Sequence, residues 1–317
     1  MLKDILLKHL NNNSIYKNHD KLSVHVLYND LHDFFYFELN SIPVMNTKAE
    51  VLPPLNDFKK LSPENVNEFR EKGHTLVKGV LSPDEIAVYR PAIVDAADRY
   101  NTEKRKLQDR DTYGKAFLQI MNLWRVDEDV KKFVLAKRMA KIAADLMGVE
   151  NVRLYHDQAL FKEAGGGPTP WHQDQYYWPI DTNNTVTMWM PLVDIDVDMG
   201  MLTFASGSFT NGAIFNHEIS DESEAAFDDY VKDKNFPISR AQTMKAGDAT
   251  WHRGFTMHHA NGNNSDKMRE VMTIIYIADG ARVAPYKNNW QQNDHHKWLM
   301  SVPVGELIDS ELNPRLL

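Results

Sequence analysis

The sequence has no cysteine, and that absence removes several classes of protein together. Without thiols there is no disulfide framework, no thiolate zinc site, no iron–sulfur cluster and no cysteine nucleophile. Any bound metal must be held by imidazole, carboxylate or neutral oxygen. Basic residues are also in deficit: 36 Lys and Arg stand against 44 Asp and Glu, a formal net charge of −8. A field of that sign gives no support to nucleic-acid or anionic-membrane binding, and neither is expected as a partner. Long apolar runs are missing as well. Met1 to Leu10 carries Lys3, Asp4 and Lys8 within its short apolar pattern, unlike a signal peptide, and no later stretch is long enough to span a bilayer. A soluble, cytoplasmic protein is the expectation, and nothing in the sequence specifies an oligomeric state.

What is present is ordinary for a folded chain with a sizeable core: 317 residues, 43% apolar, 10% aromatic and 25% charged. Residues 1–60 read as a mainly helical extension, because Leu2, Ile5, Leu6 and Leu10 fall at helical spacing before Asn11-Asn12-Asn13-Ser14 breaks the pattern. Val51-Leu52-Pro53-Pro54-Leu55 then reads as an extended connector to a second domain over 61–317. Two helix starts follow, Ser62-Pro63-Glu64 and Ser82-Pro83-Asp84-Glu85, each with serine as N-cap and proline at the first helical position. The second adds Glu85 at N3, a capping box. Gly73 closes the first helix, His74 to Val80 reads as a strand, and one helix is expected from Glu128 to Met147 with Gly148 as its stop. Beyond Val149 the texture changes to short β-like runs: 152–162, 185–193, 201–205, 249–257 and 271–278. Such spacing predicts a sandwich or barrel, interrupted by a helical insert near 221–232.

One segment carries chemistry: Pro170-Trp171-His172-Gln173-Asp174-Gln175. On an extended strand, side chains at i and i+2 share a face, so His172 and Asp174 present an imidazole and a carboxylate side by side. Alone, such a triplet is usually a hydrogen-bonded surface pair. Its weight comes from a later run, Gly247 to Met257, which ends in His258-His259 and leads to Arg269 eleven residues after His258. Two histidines and one carboxylate with open positions form the facial triad of non-haem iron oxygenases. Adjacent strand residues face opposite sides, so His258 and His259 compete for the third position. Arg269 offers a planar guanidinium that could take a carboxylate bidentately; its bland reading is a surface ion pair.

Taken with Tyr155–Lys162, the Gly165–Gly167 turn, Trp189-Met190-Pro191-Leu192 and Gly200–Ser208, these motifs resemble the phytanoyl-CoA dioxygenase family over roughly Leu61 to Val283. The resemblance implies an α+β chain with a mainly β core, a double-stranded β-helix of the jelly-roll or cupin type with flanking helices. It implies Fe(II), 2-oxoglutarate and O2 as cofactor and cosubstrates, with His172, Asp174 and His258 as iron ligands. Spacing to Arg269 favours His258 over His259 on the family pattern. Arg269 would anchor the C5 carboxylate of 2-oxoglutarate, Trp189 would lie against it, and Gln158 would sit on a strand approaching the metal. Strand alternation independently puts His156, Gln158 and Leu160 on one face. Ala260 departs from the pattern, since relatives often carry a serine two residues after the distal histidine, and another donor must then substitute.

The activity implied is oxidation of a C–H bond in a small organic metabolite, with 2-oxoglutarate decarboxylated to succinate and CO2. Hydroxylation comes first, and oxidative cyclisation or desaturation in natural-product biosynthesis second. A non-catalytic jelly-roll binding module is the reading from another class, against which the retained ligands and Arg269 argue. Halogenating relatives replace the carboxylate ligand by a small residue, so Asp174 argues against halogenation. Gln175, Tyr176, Tyr177 and Trp178, directly after the metal strand, read as a substrate wall or lid edge, with Trp178 foremost. Trp178, Tyr176 and His156 are the candidate substrate contacts, core or rim packing being the alternative. His295 and His296 read as surface residues; Lys162, Arg253 and Arg282 could contact an anionic substrate, though solvated cations are the usual reading. Asp194 to Gly200 begins like a calcium loop, but Met199 and Ala205 stand where Gly and Glu are needed.

Overall fold

Serine, proline and glycine punctuate the start of the folded core as their chemistry requires. In the computed structural model, which describes residues 16–18, 21–23, 52–214 and 221–317, the chain divides into two units, 1–49 and 50–317. Within the first, β1 (Tyr16–Asn18) and β2 (Lys21–Ser23) pair antiparallel, so the part described is strand where helix was expected. The apolar pattern of Leu2 to Leu10 lies outside the described residues. The break falls before residue 60, and the proline connector belongs to the second unit. Leu52 and Leu55 are buried there, and the Tyr89 hydroxyl donates to the Pro53 carbonyl at 2.7 Å.

Helix α1 (Pro63–Lys72) is capped by Ser62, which accepts from the Asn65 amide, and ends at Gly73 with φ of 82°. A left-handed residue there suits glycine alone: a Cβ would lie 2.4 Å from Phe209 and 2.6 Å from the Thr256 hydroxyl. After β3 (His74–Val77), α2 (Pro83–Tyr100) forms the expected capping box between Ser82 and Glu85. Then come α3 (Thr112–Ala116), β4 (Leu118–Met121), α4 (Glu128–Val134) and α5 (Lys137–Met147). The single helix expected over Glu128–Met147 is therefore two. Ala136 takes an extended conformation, and the Arg138 amide donates to Leu55 of the connector at 2.9 Å. The Arg138 guanidinium meets Glu85 at 2.8 Å and also Asp57. These distant partners break the helix where no proline or glycine marks the place.

The strands that follow are β5 (Val152–Phe161), β6 (Thr169–His172), β7 (Thr185–Pro191), β8 (Ile195–Asp196) and β9 (Leu202–Ala205). Beyond them lie α6 (Asp221–Asp233), β10 (Ile238–Arg240), β11 (Thr243–Met244), β12 (Ala249–Arg253), β13 (His258–Ala260), β14 (Val271–Ala278) and α7 (Asn289–Trp298). They assemble as a six-stranded sheet in the order β3-β12-β7-β14-β5-β4 and a four-stranded sheet β10-β9-β13-β6, with a small β11-β8 pair. Every pairing is antiparallel.

Burial on both faces explains why the central strands read as continuous apolar runs. Val186, Met188 and Met190 of β7 join Met272, Ile274 and Tyr276 of β14 in one core with α2 and α5. The alternate residues Thr187, Trp189 and Thr273 face a cavity that His172, Leu202 and His258 of the second sheet line from the other side. Two sheets closing on a cavity make the double-stranded β-helix, a jelly roll with α2 and α5 on the back of the larger sheet. Helix α6 is the expected insert, and its Phe227 and Val231 cluster with Trp171. Among the described residues no helix is long and apolar enough to cross a membrane.

Candidate active site

The site is built where β6 and β13 pair. His258 lies directly across from His172, and their rings are 4.1 Å apart. Strand β6 stops at His172, and Asp174 opens a short 3-10 turn instead of continuing the strand. The intended geometry survives because Gln173 between them is extended, with φ −121° and ψ 123°. Asp174 Oδ1 is 3.6 Å from Nε2 of both His172 and His258. One ligand atom from each of the three residues lies within 4.8 Å of the others.

Hydrogen bonds from the surroundings orient each of the three side chains. His172 Nδ1 donates to the Pro170 carbonyl at 2.8 Å and His258 Nδ1 to the Thr256 carbonyl at 3.0 Å. Each backbone contact fixes the tautomer that leaves the Nε2 lone pair free. Asp174 Oδ2 accepts from the Thr187 hydroxyl at 2.8 Å and from His252 Nε2 at 3.2 Å, which turns Oδ1 toward the imidazoles. Burial works to raise the Asp174 pKa, but the imidazoles of His258, His172 and His252 outweigh it and hold the carboxyl well below its usual range. Burial, followed by its histidine neighbours, holds His258 well below the ordinary value, so its ring is neutral. His259 packs its ring on Trp171 at 4.1 Å and stands outside the cluster. Two imidazole nitrogens and a carboxylate oxygen suit a divalent transition metal.

Beyond the cluster lies Arg269, only 2% exposed. Its Nη1 donates to the Gly200 carbonyl at 2.6 Å, its guanidinium stands 5.3 Å over the Trp189 ring, and its Nε has no hydrogen-bond partner. No carboxylate among the described residues pairs with it. Burial pushes its pKa down to about 9, so it stays charged at neutral pH. A buried cation without an anion is costly, and its planar fork is free to take a carboxylate that enters the cavity.

The cavity has a volume of about 510 Å³. His156, Gln158, Tyr177, Trp178 and Trp189 line it, and Tyr176 does not. Gln158 accepts from Gln119 at 2.5 Å. His156 is fully enclosed, has no partner for Nδ1, and is pushed by burial down to about 3. Helix α7 adds Asp294 and Trp298, and Asp294 accepts from the Tyr155 hydroxyl at 3.0 Å. These two went unnoticed in the sequence because nothing local ties α7 to the barrel; their only signal is i,i+4 spacing on one helix face. Thr187 was accessible by counting back two residues from Trp189 along β7. His252 carried no signal apart from its place in the run before His258. Of the histidines read as surface residues, His295 is instead buried, with Nε2 2.6 Å from the Val302 carbonyl, while His296 is exposed. Lys162 is buried rather than solvated, Arg253 lies 4.6 Å over Phe69 and 5.2 Å over Phe209, and Arg282 is exposed.

Trp178 is held in place by the absence of a side chain beneath it. A Cβ on Gly254 would lie 2.4 Å from Gln175 Oε1, 2.6 Å from Thr185 Oγ1 and 2.8 Å from the Trp178 ring. Gly254→Ala is therefore expected to destabilise the protein by about 1–3 kcal/mol through overpacking. Thermal melts should show the loss, and a shifted tryptophan emission spectrum should show the displaced ring. Unchanged melting and emission would refute the close packing described.

A double-stranded β-helix that gathers two imidazoles and a carboxylate at one end of its cavity has the architecture and donor set of the non-haem iron oxygenases. A family model for phytanoyl-CoA dioxygenase (PhyH) matches residues 69–271, and the chain belongs to that family. It is accordingly an iron- and 2-oxoglutarate-dependent dioxygenase. Among curated proteins it is 23% identical, over 232 residues, to a probable alpha-ketoglutarate-dependent hypophosphite dioxygenase of Stutzerimonas stutzeri, covering 69% of this chain and 79% of that one. It is also 23% identical over 280 residues to phytanoyl-CoA dioxygenase domain-containing protein 1 of Danio rerio, covering 73% and 95%. Among solved structures, the non-heme alpha ketoglutarate dependent carbocyclase SnoK from nogalamycin biosynthesis superposes with a TM-score of 0.66 at 25% identity, over 81% of this chain and 97% of SnoK. The epimerase SnoN, in complex with Fe3+, alpha ketoglutarate and nogalamycin RO, shares the fold with a TM-score of 0.65 at 23% identity, over 80% and 98%.

Proposed function

We propose that His172, Asp174 and His258 hold Fe(II), that Arg269 holds the distal carboxylate of 2-oxoglutarate, and that the enzyme hydroxylates a C–H bond of a small organic metabolite. In that reaction substrate, 2-oxoglutarate and O2 yield the alcohol, succinate and CO2. The observation that carries the reading is a buried, carboxylate-free Arg269 in the cavity of the His172–Asp174–His258 cluster. Iron with 2-oxoglutarate and O2 supplies the oxidative decarboxylation that generates the oxidant. The chain supplies the rest. Thr187 and His252 orient the Asp174 carboxylate, the Pro170 and Thr256 carbonyls fix the imidazole tautomers, and Trp189 packs against Arg269. The aromatic walls, Trp178 among them, exclude water from the reacting centre. His156, with an unpartnered ring nitrogen, is proposed as a polar contact for the substrate, and Trp178 as an apolar one.

A second reading, oxidative ring closure, is favoured by the similarity to the carbocyclase SnoK. Both readings begin with removal of a hydrogen atom from carbon and differ in how the substrate radical is consumed. One experiment tests what they share. Fe(II) and 2-oxoglutarate added anaerobically should produce a visible metal-to-ligand charge-transfer band, and admission of O2 should yield succinate. Absence of both would overturn the assignment of these residues.

A further inference from the structure

Helix α7 lays a carboxylate against the cavity that holds the metal cluster. Asp294 and Trp298 stand four residues apart on it, so they share a face, and both line the cavity. Asp294 is only 8% exposed. The Tyr155 hydroxyl donates to its Oδ2 at 3.0 Å, and the Trp298 indole donates to it as well. Two neutral donors leave acceptor positions of the carboxylate open. None of the ion pairs among the described residues includes Asp294. Burial pushes its pKa up to about 7, the two hydrogen bonds offsetting part of the rise. A cation beside it would favour the ionised form.

Aromatic rings and a histidine surround this carboxylate. His156 is 2% exposed, lines the same cavity, and has no partner for Nδ1; its ring lies 5.8 Å from Trp298. Tyr177, Trp178 and Trp290 line the cavity too. Aromatic faces are negative and attract cations. Apart from the metal cluster and Arg269, the other carboxylate and ammonium groups lining the cavity are Asp111 and Lys297. Asp111 is engaged as the cap of α3, accepting from the Gly114 amide at 2.9 Å. Lys297 is exposed, so its ammonium stays in water. The enclosed groups therefore favour a positive charge, which would compensate the buried carboxylate as a neutral hydroxyl would not.

We propose that Asp294 binds an alkylammonium group of the substrate, with the Trp298 ring and His156 beside it, so that the molecule oxidised is an organic amine. That the bound amine is the substrate rests on the oxygenase reading above. Loss of a charge-assisted contact to a buried carboxylate is expected to weaken binding about 10- to 100-fold.

Tryptophan fluorescence provides the test. Protein loaded with Fe(II) and 2-oxoglutarate is titrated anaerobically with choline and, separately, with the alcohol in which carbon replaces the choline nitrogen. The two probes share a shape and differ in charge. Wild type should prefer choline by about 10-fold or more. Asp294→Asn keeps the acceptor for Tyr155 and removes the charge, so choline should fall to the level of the alcohol while the alcohol binds as before. Lys297→Ala should bind choline as tightly as wild type or more so, since it removes a like charge. Equal binding of the two probes by wild type would overturn the proposal, whether or not the variants fold, and so would failure to take up choline. An Asp294→Asn protein that keeps the preference would overturn it too. The charge-transfer band, recorded on the same samples, separates the two readings. A normal band without a choline preference overturns the ammonium site alone. A choline preference without the band overturns the iron and 2-oxoglutarate assignment and leaves the ammonium site standing.

Discussion

Replacing His172 by alanine is expected to abolish the anaerobic charge-transfer band and to take succinate formation below detection. The ring supplies one of only three donor atoms in the cluster, and its Nε2 is freed for that purpose by the Nδ1 contact to Pro170. Removing an outer partner of a metal ligand typically costs about 10- to 100-fold in affinity or activity, so losing the ligand itself should exceed about 100-fold. His259→Ala is the matching control. That ring stacks on Trp171 away from the cluster, and its removal should leave the band in place. If His259→Ala abolished the band and His258→Ala did not, the assignment of the third ligand would be reversed. Melting of the metal-free His172→Ala protein should stay close to wild type, which separates loss of iron from loss of fold.

Arg269→Met should produce two effects of opposite sign. The first is a loss of 2-oxoglutarate affinity of about 100-fold or more, as expected for removing one partner of a buried, bidentate charge pair. The second is a gain in stability without cosubstrate. Arg269 is a buried cation with a single carbonyl partner and an unsatisfied Nε, and methionine fills much of the same volume without that desolvation cost. The melting temperature of the ligand-free variant should therefore rise, by on the order of 1 kcal/mol of stability or more. The stabilisation that 2-oxoglutarate confers on wild type should vanish. Arg269→Lys should fall between, since it keeps the charge and loses the planar fork. A methionine variant that melted lower and bound 2-oxoglutarate normally would make Arg269 a structural residue.

Much of the architecture is legible one segment at a time. Ser62, Ser82 and Glu85 announce helix starts through the orphan amides they satisfy, and Gly73 and Gly148 announce ends through their left-handed backbone. His156, Gln158 and Leu160 share a face because a strand repeats every two residues, and all three line the cavity. The helix break near Ala136 is not legible in that way, because its cause is a carbonyl at Leu55 and carboxylates at Asp57 and Glu85. Nor is the burial of Lys162, since a lysine in isolation is read as solvated, and only its pairing with Arg269 encloses it.

By itself, then, the sequence determined the chemical vocabulary: no thiolate, an imidazole and a carboxylate at i and i+2, a histidine pair, and an arginine eleven residues on. Capping, period and residue type act over a few positions and need no knowledge of the rest of the chain. Tertiary structure decided which atoms meet. The β6–β13 register set His258 against His172 and turned His259 onto Trp171, a bulge brought Thr169 to the same face as His172, and β12 carried His252 to Asp174. Helix α7, from the far end of the chain, contributed Asp294 and Trp298 to the cavity. Each of these depends on pairing between segments distant in sequence, where a shift of one residue sends a side chain to the opposite face.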